Sequence, residues 1–226
     1  MDVKSTFSRL ISLLAPYPVG TSFPPPATDA ELQQLEQFVG SRYPGSTIPP
    51  ALAAMWRVTN GSPLAPGKDW GPLIPRKPDP QRLFYSYMFM PVREVVEQCQ
   101  ALDTILALPS DPYLDDAVPS FPDGAVRNEQ YSRAWLPFAY DGCGGCVAVD
   151  AAPGPAGVLG QVINYGRDDR AHFQLGASVE AFLERVVNDY EHKRMHEVFG
   201  DEMLYIDRLL TMQQEQGGRV WFTYGG

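Results

Sequence analysis

With 226 residues, 44% of them apolar and 12% aromatic, the chain can bury a sizeable core, as one large domain or a domain of about 150 residues with extensions. Its 18 Lys and Arg against 27 Asp and Glu leave a net charge of −9, which argues against nucleic-acid binding, because phosphate neutralisation needs clustered cations, and favours a basic protein as partner. The three cysteines, Cys99, Cys143 and Cys146, are too few for a disulfide framework and point to a reducing compartment, so the expected location is cytoplasmic.

Val3, Phe7, Leu10, Ile11 and Leu14 share one helical stripe, predicting an N-terminal helix docked on the domain, with a membrane-surface helix as the alternative. Ser12 and Pro16 interrupt the apolar run, which reads as no signal peptide. No window approaches the roughly 20 apolar residues of a membrane span, so no membrane partner is expected. Residues 16–26 hold five prolines and read as a linker or an extended segment.

Thr28-Asp29-Ala30-Glu31 is a capping box, and the helix it opens carries Leu32, Leu35, Phe38 and Val39 on one side. Pro50 suits a first helical position, and the next helix turns Leu52, Met55, Trp56 and Thr59 inward before Asn60-Gly61. Residues 62–80, with six prolines, read as a long loop. Leu83 to Met90 follows as a strand, then Pro91 to Leu108 as a helix with Val92, Val95, Val96, Cys99 and Leu102 inside. Residues 109–130 form a second long loop in which Asp111, Asp115, Asp116, Asp123 and Glu129 face one cation, Arg127. Such a charge run is usually solvated, although loops of this size also carry function.

Trp135 to Tyr140 reads as a strand that stops at the glycine-rich turn Asp141-Gly142-Cys143-Gly144-Gly145. Cys146 to Asp150 is a second strand, and a third runs from Val158 to Tyr165 after the Gly/Pro cluster of 151–157. The gaps are too short for crossover helices, so the strands form an antiparallel meander, with Ala171 to Leu175 as a final short strand. Ser178 then caps a helix to about residue 199, with Phe182, Leu183, Val186, Val187 and Tyr190 inside. A further helix near 201–214 and a strand-like stretch from Arg219 to Tyr224 close the chain.

Four pieces occur here in order: Trp-x-Pro-Phe at 135–138, Asp-Gly-x-Gly-Gly at 141–145, Ala-Val-Asp at 148–150, and Gly-Gln-Val-Ile-x-x-Gly-Arg-Asp-Asp at 160–169. In order and spacing they resemble the SUKH superfamily, the Smi/Knr-type fungal cell-wall-assembly regulators and their bacterial immunity-protein relatives. The likeness extends to 48–61 and 178–183, so it spans about residues 28–190. The resulting expectation is an α+β fold with an antiparallel sheet near 135–175 and helices packed against it. Residues 1–27 form an N-terminal helix and Pro-rich segment, 28–199 the SUKH-like domain, and 200–226 a C-terminal extension.

The chemistry is tested against plainer roles. Cys143-x-x-Cys146 with His192-x-x-x-His196 has the residue types of a zinc site, but the pairs lie far apart and Cys146 begins an apolar strand. A thioredoxin-type role fails because that motif opens a helix. His172 is the histidine near the meander, with no nucleophile elbow, and the glycine turns lack the Lys-Ser/Thr of a phosphate cradle. Asp168-Asp169 reads as a solvated turn with Arg167 and Arg170. The expectation is therefore no catalytic residue, no metal and no cofactor.

The resemblance implies binding of another protein. The compact Ala/Pro-rich chain puts an immunity protein neutralising a polymorphic toxin, such as a nuclease, first. An intracellular regulator or scaffold of cell-wall assembly comes second, and a zinc- or cysteine-dependent enzyme third. The expected partner is a basic toxin domain, met by Asp111, Asp115, Asp116, Tyr131, Asp141, Tyr165, Asp168 and Asp169, with Tyr113 as a further anchor. Oligomeric state is left open by the sequence.

Overall fold

A computed structural model describes residues 2–14, 22–63, 83–84, 87–107, 118–142, 144–167, 169 and 171–192. It is an α+β fold. The elements are α1 (Val3–Leu14), α2 (Asp29–Arg42), α3 (Pro50–Trp56), β1 (Met88–Phe89), α4 (Val92–Leu106), β2 (Ser120–Phe121), β3 (Trp135–Tyr140), β4 (Gly145–Asp150), β5 (Val162–Gly166), β6 (His172–Gly176) and α5 (Val179–Glu191).

The helices start where side chains satisfy their first amides. Thr28 accepts from the Glu31 amide at 3.2 Å while Glu31 accepts from the Thr28 amide at 2.7 Å, so the capping box is complete. Ser178 likewise accepts from the Ala181 amide at 3.2 Å and opens α5. Pro50 begins α3, which ends at Trp56, earlier than expected; Thr59 is buried beyond it, its hydroxyl donating to the carbonyls of Pro24 and Gly61 at 2.9 and 3.0 Å. On α1 the predicted stripe is buried at Val3, Phe7, Leu10 and Leu14, and the helix packs on α3 and α5, where Arg9 pairs with Glu191.

Among the described residues one six-stranded sheet runs in the order β1-β3-β4-β5-β6-β2. The meander β3–β6 is antiparallel throughout, and β1 adds to β3 antiparallel. Two expectations are corrected. The stretch 109–130 is not all loop, because β2 lies inside it and pairs parallel with β6, Ser120 opposite His172. The third meander strand begins at Val162, because Val158 to Gln161 close a turn in which the Gln161 amide donates to the Val158 carbonyl at 3.0 Å. Of the expected strand at Leu83 to Met90, the described residues hold the two of β1 and a bridge between Phe84 and Tyr87.

Both faces of the meander are buried, which alternation along each strand makes plain. Phe138, Val147, Val149, Val162, Phe173 and Leu175 face the helices and join the main core, where Phe84 sits among Phe7, Phe89, Phe138 and Phe182. Trp135, Cys146, Ala148, Ile163 and Tyr165 face the other way and form a second cluster with Val126. The segment before β3 covers that cluster: Tyr131 packs on it, and Gln130 donates to the Gly166 carbonyl at 2.6 Å.

Candidate functional site

An antiparallel meander sends alternate connections to opposite ends of the sheet, so motifs distant in sequence meet there. At one end the turn β3–β4 meets the turn β5–β6. The Asp141 and Gly145 backbones exchange a hydrogen bond at 3.0 Å, and the Asp141 carboxylate accepts from the Gly145 amide, also at 3.0 Å. Gly142 and Gly144 take φ of 92° and 109°, which a Cβ would oppose. Gly145 is in register with Gly166, where a Cβ would stand 2.8 Å from the Gly145 Cα. Beside them the Asp169 carboxylate accepts from the Asn164 amide nitrogen at 3.0 Å, and Asn164 Oδ1 accepts from the Phe173 amide at 2.6 Å.

The expected contact residues divide accordingly. Asp141 and Asp169 are half-buried at this end, Tyr131 is half-buried on the covering segment, and Arg167 is exposed beside them. Tyr165 is 4% exposed; its ring lies edge-on to Tyr131 at 6.1 Å and tilted against Trp135 at 5.2 Å, so it holds the second cluster together and offers no outward contact. Burial pushes its hydroxyl well above the ordinary tyrosine range. Asp111, Tyr113, Asp115, Asp116 and Asp168 lie outside the described residues, as do Cys143, His196 and the helix and strand expected after residue 200.

At the opposite end, β4–β5 meets the loop of 122–126, and here the important side chain is one the sequence reading passed over. Gln161 is fully buried, and its nitrogen donates to the Ala125 carbonyl at 2.8 Å and the Asp150 carboxylate at 2.9 Å. Its oxygen accepts from the Val158 amide at 3.0 Å and from Gln174 at 2.8 Å, which engages both ends of its amide. Asp150 is also buried and accepts from the Ala152 amide at 2.9 Å; burial raises its pKa above the ordinary carboxylate value. The detectable signal was polar Asp and Gln inside otherwise apolar strand ends.

The reactive groups are placed for packing. Burial drives the Cys99 thiol to about 11 and the Cys146 thiol to about 12, so both are protonated at neutral pH. His172 is fully buried, its ring nitrogens 3.1 Å from the Asn164 carbonyl and 2.9 Å from the Glu129 carbonyl, and desolvation lowers its pKa. Among the described residues no three His, Cys, Asp or Glu side chains gather as a metal site. A pocket beside Arg42 and Arg133 is lined mainly by apolar groups such as Val39, Pro49 and Leu136. Arg42 there is committed to Asp103, to the Cys99 carbonyl at 2.9 Å and to the Arg133 carbonyl at 3.2 Å. Among the described residues no helix is long and apolar enough to cross a membrane.

Comparison with known proteins gives a family and a set of relatives. The model of the SMI1 / KNR4 family (SUKH-1) matches residues 26–185. The cell wall biosynthesis/cell cycle regulator smi1 of Schizosaccharomyces pombe is 44% identical over 73 residues, 32% of this chain and 14% of that protein. The cell wall assembly regulator SMI1 of Saccharomyces cerevisiae is 38% identical over 72 residues, again 32% and 14%. The glucan synthesis regulatory protein of Neurospora crassa is 37% identical over 75 residues, 33% and 14%. The match thus spans 14% of the length of each of these relatives.

Proposed function

Because the chain belongs to the SMI1 / KNR4 family (SUKH-1), we propose that it is a non-catalytic, protein-binding regulator of cell-wall assembly acting in the cytoplasm. What supports this reading is the wording of the relatives' names, which speak of cell-wall biosynthesis, cell-wall assembly and glucan synthesis. Toxin neutralisation, placed first on the sequence alone, yields to it, since those names contain regulation and no immunity role. The chemistry agrees with a binding role: the buried thiols are protonated, and the buried Asp150 and Gln161 are spent on holding a turn.

The partner in this reading is a basic protein, approached through the end of the sheet that carries Asp141, Asp169 and Tyr131. Complementary charge would speed encounter and fade with salt, as the Debye length falls from about 10 Å at 0.1 M to about 3 Å at 1 M. Removing the chain from its own cells is expected to lower wall glucan and to sensitise growth to a glucan-binding dye. Unchanged glucan, with growth depending on the chain only when a neighbouring toxin gene is present, would overturn the reading in favour of toxin neutralisation.

A further inference from the structure

We propose that the pocket beside Arg42 and Arg133 receives the carboxylate of an acidic side chain from a partner protein. The pocket lies at the end of the sheet away from Asp141, where β3 begins and Trp135 pairs with Asp150. It is a second surface, opposite in charge to the one proposed above, and goes beyond that reading. Its cavity measures about 30 Å³, and Val39, Pro49, Leu136 and Val149 line it together with the two arginines.

Three elements build the positive charge. Arg42 ends α2, Asp103 stands on α4, and Arg133 lies just before β3. Asp103 divides its carboxylate between the arginines: one oxygen pairs with Arg42 Nη1, and the other stands 3.1 Å from Arg133 Nε. Two guanidinium groups against one carboxylate leave one positive charge unmatched in this cluster, although the chain as a whole carries −9.

Arg42 is the side chain that asks for a ligand. It is 7% exposed, with Nε given to the Arg133 carbonyl at 3.2 Å and Nη1 to the Cys99 carbonyl at 2.9 Å. Nη2 is buried with no acceptor. A buried charged donor left unpaired is costly, and folded proteins keep few of them without a use. Arg133 is 58% exposed and meets Asp103 through Nε, which leaves much of its fork open at the surface. Ser46 and Thr47 also line the cavity, and neither hydroxyl is bonded among the described residues.

Charge and size decide the occupant. An acceptor that answers two guanidinium groups is an anion, and a planar two-oxygen face matches their fork. The small and mainly apolar cavity suits a carboxylate on a methylene stem better than a bulkier, more strongly hydrated phosphate. A free acid of that size has too few atoms for useful affinity, since binding energy per atom is bounded. The carboxylate therefore comes on a polypeptide, whose neighbouring residues add the rest of the contact. At a Debye length of about 8 Å in physiological salt, the two arginines at hand outweigh the distant acidic groups of the chain.

The test titrates the isotope-labelled full chain at constant ionic strength with acetyl-Ala-Ala-Glu-Ala-Ala-amide, with the same peptide carrying Gln for Glu, and with propionate. Nuclear magnetic resonance follows the Nε signals of Arg42 and Arg133 and the Thr47 amide. The Glu peptide is expected to shift these signals to saturation in the millimolar range, about tenfold or more tightly than the Gln peptide or propionate. Arg133→Gln should weaken that binding about fivefold or more while melting like wild type, because its side chain is largely exposed. Equal responses to the Glu and Gln peptides, no shift at either arginine, or unchanged binding by Arg133→Gln would overturn the proposal. Propionate binding as tightly as the Glu peptide would also overturn it, in favour of a site for small free acids. None of these results bears on the wall-glucan measurement, so the regulator reading stands or falls separately.

Discussion

Replacing Gly157 with alanine should unlock the loops of 122–126 and 151–161, which backbone bonds from Gly154 to the Ala125 carbonyl and from Ala156 to the Gly124 carbonyl lace at 3.0 Å each, and the size of the effect follows from the geometry. Its backbone lies outside the left-handed region, so alanine meets no conformational penalty there; the obstacle is space. The new methyl would overlap the Ala125 carbonyl oxygen and stand 2.8 Å from Pro153 Cβ and 2.9 Å from Gln161 Oε1. Overpacking of this kind costs about 1–3 kcal/mol. Pushing Gln161 aside also strains its bonds to Ala125 and Val158, each worth about 0.5–1.5 kcal/mol, which brings the total to roughly 2–6 kcal/mol. Gly160→Ala is the matched control: nothing lies within 4 Å, but φ is +82°, so the cost is about 1–2 kcal/mol from backbone conformation alone. Urea titration compares the two midpoints, and amide exchange at Ala156 and Val158 reports whether the lacing has opened. If Gly157→Ala is no more destabilising than Gly160→Ala, the loops are not locked as described.

Trp135 is 1% exposed and lies 5.0 Å from the His172 ring, so Trp135→Ala should cost about 3–5 kcal/mol, and an unchanged thermal melt would take it out of the core. Thr28→Ala removes the cap of α2 and should lower stability by about 1 kcal/mol in the same assay; no change would mean that the cap is idle. Glu31 is held below the ordinary carboxylate pKa by the Thr28 amide, so its contribution is present above that ordinary value and lost as pH falls through the depressed one. Glu31→Gln should therefore flatten the acid limb of a stability-against-pH curve, and identical limbs would refute the linkage. With thiols at about 11 and about 12, Cys99 and Cys146 should escape iodoacetamide at pH 8 until the protein unfolds, and native labelling of either, read by peptide mass, would contradict their burial.

What the residues announced in advance was mostly local. The capping box, Pro50 at a helix start and the short apolar runs between glycine-rich turns from Trp135 to Leu175 each satisfy backbone groups or bury a face using neighbours in sequence. What they concealed depends on distant segments. Val126 and Gln130 sit in a stretch that reads as acidic loop, yet the sheet needs its second face covered, and that stretch covers it. Ser120 and Phe121 look like loop because a two-residue strand has no period of its own; pairing with His172 and Phe173 makes it one. Tyr165 reads as an anchor because tyrosine is common in interfaces, but its position on β5 turns it onto Trp135.

The motifs that identify the family are largely scaffold, and this bears on where a partner is read. Trp135 and Phe138 fill the two cores, Asp141 folds back on Gly145, and Asp150 and Gln161 hold each other and the β4–β5 turn. Gly166 is bare because Gly145 lies against it, and Asp169 is bonded to Asn164. Each of these is buried or half-buried; among the described motif residues Arg167 is the one that stands exposed. Residues occupied in this way transmit a fold, and a shared fold does not by itself transmit a partner. Val158 and Leu159 are side chains that the scaffold displays without needing them, since neither is buried in the core that the turn supports. Exchanging that pair for Ser-Ser should leave the melting temperature within about a degree, as surface substitutions usually do. A variant that loses stability instead would show that the pair is structural after all.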